Sequence, residues 1–191
     1  MHNFQNEKKC VGLIFDLSIR HDSNGKRIID IVKKQMIDIV RELLVDGEDT
    51  FYLYHPQIYE SVVSHAESVC AIGNYNSDGW QFNVNYALRQ TLYVMLSEDI
   101  TFNKYIIIVT DRLFDQNIME KAIFLNNKEN INCHFFLIGI GDFFQKNLFE
   151  KVANLKNVTL LHLNKAADLK SDLFKEKNGE NLYNTTNEQY K

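Results

Sequence analysis

The sequence predicts an α/β protein: a doubly wound, mainly parallel sheet with one antiparallel edge strand and helices on both faces, a three-layer Rossmann-like sandwich. Three observations predict it. Two apolar runs, 11–15 and the β-branched 105–109, end abruptly in polar residues, Asp16, Ser18 and Arg20 after the first and Thr110-Asp111 after the second. Unbroken apolar runs of this kind belong to strands covered on both faces. Stretches with apolar residues at helical spacing alternate with the runs, and the connections are short, as parallel neighbours joined by helical crossovers require.

After the first strand, His21-Asp22-Ser23-Asn24-Gly25 is a turn-forming cluster, and Ile29, Val32, Met36, Val40 and Leu43 recur at helical spacing in a helix that runs through Asp46. Its bases Lys26, Arg27, Lys33, Lys34 and Arg41 are interleaved with Asp30, Asp38 and Glu42, which marks a solvated face more than a binding one. Gly47 closes that helix, and the aromatic stretch 50–54 is the next strand. Both 61–63 and 68–72 look strand-like, and one of them is expected to form the antiparallel edge. A polar loop, 73–79, leads to Trp80, Gln81 and Phe82, after which Val84, Ala87, Leu88, Thr91, Leu92 and Met95 mark a second long helix. Beyond the 105–111 strand, Asp115 caps a shorter helix over 116–124. The buried strand 133–140 ends at Gly141-Asp142, a helix passes through Leu148, Phe149, Val152 and Ala153, and strand 158–163 and helix 166–174 complete the domain. Residues 1–8 are read as an extension, 9–174 as the domain, and the Asn-rich, polar 175–191 as a mobile tail.

With 45% hydrophobic residues the chain has enough apolar side chain for one sizeable core. Its apolar runs are too short for a membrane helix and its first nine residues are polar, so a soluble, cytoplasmic protein is expected. The net charge of −4 argues against general binding to nucleic acid or to anionic membrane. Cys10, Cys70 and Cys133 are odd in number and widely spaced, so they are expected to be buried, reduced thiols. His55, His65, His134 and His162 lie on different elements without the spacing of zinc ligands. Gly139 and Gly141 are followed by Phe144 where a dinucleotide fingerprint needs a third glycine, and neither a phosphate loop nor a nucleophile elbow is present.

Ligands of doubly wound sheets meet the carboxyl ends of the strands near the switch point, where this reading places Asp16 and Asp111. Two carboxylates about 4 Å apart repel by roughly 4 kcal/mol at an effective dielectric of 20, so positive charge is needed there. Either Mg²⁺, held by carboxylate and hydroxyl oxygens, or Arg20 supplies it. The plainer reading is that both acids merely cap loops and helix ends. Trp80 and Phe82 either contact a partner protein from the adjoining loop or pack beneath it.

This pattern resembles the von Willebrand factor A domain over roughly residues 9–174. The resemblance rests on D-x-S at Asp16 and Ser18, the long first helix, the glycine-to-Ala-Leu helix start from Gly79 to Ala87-Leu88, Thr110-Asp111, and the strand end at 138–142. In that family a metal-ion-dependent adhesion site uses a D-x-S-x-S loop, a threonine before the Ala-Leu helix and a distal aspartate. Asp16, Ser18 and Asp111 match three of those positions, whereas Arg20 stands at the second serine and Gln81 or Phe82 at the threonine. The resemblance therefore implies a degenerate site in which Arg20 pairs with Asp16, Asp111 or both, Mg²⁺ bound by Asp16, Ser18 and Asp111 being the alternative. It also implies a non-catalytic protein–protein interaction module without a cofactor, part of an intracellular complex, with an AAA-type ATPase or another subunit as partner. The rival function is Mg²⁺-dependent: adhesion-type ligand binding, or receiver- or phosphatase-like phosphoryl chemistry at Asp16 or Asp111. That chemistry lacks a second acid where Ser18 stands and a lysine after strand 133–140.

Overall fold

The computed structural model describes residues 8–18, 20–54, 59–62, 64–75, 83–112, 115–142, 144, 155 and 157–174. In chain order the elements are β1 (Lys9–Asp16), α1 (Ile28–Leu43), β2 (Thr50–Tyr54), β3 (Tyr59–Val62), α2 (His65–Asn74), α3 (Val84–Ser97), β4 (Asn103–Thr110), α4 (Gln116–Lys128), β5 (Cys133–Ile140) and β6 (Val158–Leu163). A 3₁₀ turn, Ala166–Asp168, and α5 (Leu169–Phe174) follow. The sheet order is β3-β2-β1-β4-β5-β6; all neighbours run parallel except β2 and β3, which are antiparallel.

That order reverses direction beside β1, since the chain leaves it first for β2 on one side and then for β4 on the other. Successive side chains of a strand point to opposite faces, so two cores form. Val11, Leu13 and Phe15 join α1, α2 and α5, while Cys10 and Ile14 join α3 and α4. Helix α1 buries Ile29, Val32, Met36, Ile39, Val40 and Leu43 along one stripe. Its entry is built by Asp22, whose Oδ1 accepts from the main-chain N–H groups of Asn24 and Lys26, and by Gly25 at φ +74°.

The stretch 68–72, read as strand-like, is helical. Ser68, Ala71, Ile72 and Tyr75 are buried at i, i+3, i+4 and i+7, a helical period whose first member is a serine and so did not register as apolar. The start is fixed by Ser64, whose hydroxyl accepts from the N–H of Glu67. The edge strand is the earlier segment, 59–62. Helix α4 continues four residues past Phe124 to Lys128, and Asp115 caps it as expected, accepting from the N–H of Asn117. The helix expected around Leu148 to Ala153, the polar tail, and Trp80, Gln81 and Phe82 lie outside the described residues. Cys10 and Cys133 are buried, and burial pushes both thiols up, that of Cys133 to about 12; Cys70, against expectation, is exposed on the outer side of α2. No helix among the described residues is long and apolar enough to cross a membrane.

Gly12 lets α3 lie close on β1. A Cβ there would sit 2.5 Å from Cγ2 of Thr91 and 2.9 Å from Cε of Met95. Gly12→Ala is expected to destabilise the chain by about 1–3 kcal/mol through overpacking, read as a lower urea midpoint with unchanged slope.

Candidate functional site

The register of β1 on β4 sets Asp16 beside Thr110, which leaves Asp111 one residue past the strand and facing the other way. Two buried carboxylates result, Asp16 at 5% and Asp111 at 1% exposure, each with its own set of donors. Ser18 closes on Asp111 twice: its N–H donates to Oδ1 at 2.8 Å and its hydroxyl to Oδ2 at 2.6 Å. The fully buried Thr110 hydroxyl donates to Oδ2 of Asp16 at 2.9 Å and accepts from the N–H of Arg112 at 3.1 Å. The guanidinium of Arg112 completes the Asp16 side, with Nε 3.7 Å from Oδ1 and Nη2 donating to the Leu17 carbonyl at 3.1 Å. Nε is buried and makes no hydrogen bond, so its contact with Asp16 is an ion pair alone.

Arg20 reaches Asp111 at its main chain. Its Nη1 donates at 2.6 Å to the main-chain carbonyl of Asp111, and the guanidinium that pairs with the Asp16 carboxylate is that of Arg112. The reason is strand periodicity: Thr110 and Arg112, two residues apart, point to the side that Asp16 occupies. Proximity to D-x-S in the sequence favoured Arg20, whereas Arg112 is placed by the register of β1 on β4. Tyr75, at the end of α2, was also missed; its buried hydroxyl donates to the Phe15 carbonyl at 2.9 Å and is pushed up chiefly by burial.

Burial pushes the Asp16 carboxyl above the usual carboxylate range; the Thr110 hydrogen bond and the Arg112 guanidinium draw it back, and the charge of Asp111 raises it. A hard divalent cation needs open oxygens at this edge. Ser18 donates to both Asp111 oxygens, Thr110 to one Asp16 oxygen, and Arg112 stands against the other. This donor set does not fit Mg²⁺.

No protein-family model and no curated protein matches the sequence. Solved structures do. The chain is similar to proximal thread matrix protein 1 of the mussel byssus, with 19% identity and a TM-score of 0.63, covering 86% of this chain and 46% of that one. A second structure of the byssus protein has a zinc-occupied MIDAS motif. A von Willebrand factor type A structure from Catenulispora acidiphila matches at 17% identity and TM-score 0.64, covering 87% and 41%. The SpRpn10 VWA domain matches at 12% and 0.54, covering 86% and 95%. The chain thus spans less than half the length of the first two, and at these identities the likeness shows a shared fold.

In the folded state the raised Asp16 binds its proton more tightly than the unfolded chain does. The stability this contributes is full below the unfolded carboxylate pKa and is lost as pH rises through the folded value. Arg112→Met is expected to move the Asp16 titration further up, as followed by carboxyl ¹³C shifts, and to cost about 1–3 kcal/mol at neutral pH for a buried charge left without its partner. An unchanged Asp16 titration would separate the two residues.

Proposed function

The chain has the von Willebrand factor A fold, and from that premise we propose that it is a non-catalytic protein-binding module whose strand-end rim engages a partner without a divalent ion. The observation that carries this reading is the closed double set of donors: Ser18 on Asp111, and Thr110 with Arg112 on Asp16. Charge at the rim is balanced from within the chain, so a partner meets guanidinium groups where a metal site would offer an ion. Arg112, one third exposed, and the half-buried Arg20 suit an acidic side chain on that partner, because guanidinium and carboxylate form charge-assisted hydrogen bonds.

Phosphoryl chemistry at either aspartate is disfavoured, since it calls for a solvent-reached oxygen and a metal to gather charge. Both carboxylates are buried and engaged. The module belongs, on this reading, to an intracellular multiprotein complex, and an AAA-type ATPase is the partner class to which the family resemblance points.

Calorimetric titration of the full chain with Mg²⁺ is expected to give no binding heat, and affinity capture from the native organism is expected to retain the same partner with EDTA present. Arg112→Glu is expected to lose that partner by reversing the rim charge. Tight Mg²⁺ binding, or capture that EDTA abolishes, would overturn the metal-free reading.

A further inference from the structure

The sheet face opposite α1 carries a groove that the rim does not use. It lies between α3 and α4 and has a volume of about 300 Å³. Its accessible apolar lining is Ile118 and Leu125, with the buried Leu88 and Ala122 beneath, and Arg89, Tyr93 and Lys121 flank them. Helix α3 contains no acidic residue over its length, and no carboxylate lines the groove. Arg89 and Lys121 are both exposed, and neither has an ion pair or a hydrogen bond among the described residues. In a chain of net charge −4, these two cations, without carboxylate partners among the described residues, stand beside apolar side chains.

Tyr93, at the groove's flank, is 47% exposed. A furrow between two packed helices takes the ridge of a third, whose anchors recur at i, i+3, i+4 and i+7. Two cations are too few for a phosphate backbone, where affinity comes from many neutralised charges. We propose that the α3/α4 groove docks an acidic amphipathic helix of a partner protein, its apolar stripe on Ile118, Leu125 and Tyr93 and its carboxylates paired with Arg89 and Lys121. The inference is independent of the rim.

The probe is a phage-displayed library of random peptides about 16 residues long, some four helical turns, panned on the immobilised full chain. Expected are enriched peptides with Leu, Ile or Phe at helical spacing and Asp or Glu beside them. By fluorescence anisotropy their Kd should rise at least about tenfold against Arg89→Glu/Lys121→Glu, as expected for reversed interface charge, and also against Leu125→Asp. Exchanging the peptides' acids for lysine should abolish binding. Circular dichroism confirms that the variants are folded, and the exposure of Arg89 and Lys121 makes that double variant the one least able to disturb the core. No enrichment, enrichment of basic or unpatterned peptides, or affinities indifferent to these variants would overturn the proposal. So would sedimentation showing a dimer of the unmodified chain that the double variant dissolves, because the occupant would then be a second copy.

Discussion

Two carboxylates brought together at the dry end of a parallel sheet must each find donors within reach, and the arrangement around β1 and β4 meets that requirement. Isolated charges of this kind are tolerated in protein interiors only when paired and hydrogen-bonded. The chain meets the demand with its nearest atoms: a main-chain N–H and hydroxyl from Ser18, the Thr110 hydroxyl and the Arg112 guanidinium. These contacts also join β1 to the turn beyond β4, so the neutralisation of charge and the closure of the sheet edge are one piece of construction. Tyr75 adds α2 to it by holding the Phe15 carbonyl.

Much of this was legible before any coordinates. Strands β1, β4 and β5 are covered on both faces, so their burial is written as unbroken apolar runs, and Asp16 and Asp111 stand out because they end such runs. Helix α2 was hidden because its inward stripe begins with Ser68, a polar residue that turns its hydroxyl back to the Ser64 carbonyl and so can be buried. Arg112 was hidden for a different reason. Its partner is 96 positions away in the chain, and only the register of Asp16 on Thr110 reveals that they share a side. Pairing across strands is a property of the assembled sheet, and local spacing carries no trace of it.

The two helical layers differ in what they leave to solvent. On one side α1 alternates acids with bases and is tied by Lys33 to the Tyr75 carbonyl and by the ion pair of Lys170 with Glu42. On the other, α3 and α4 present aromatic and aliphatic side chains beside Arg89 and Lys121, which have no ion pair among the described residues. Helix amphipathicity alone does not separate these cases, since both layers bury a proper stripe; the difference lies in the composition of the outward face.

Of the three sulfhydryls, two are sealed in the cores and held in their unreactive protonated form, and Cys70 alone meets solvent. A maleimide dye or a nitroxide added to the native chain would therefore attach at a single defined point on α2, five residues before Tyr75. The molecule thus carries its own spectroscopic handle close to the rim, and a bound partner's distance from that edge becomes measurable without engineering a cysteine into the sequence.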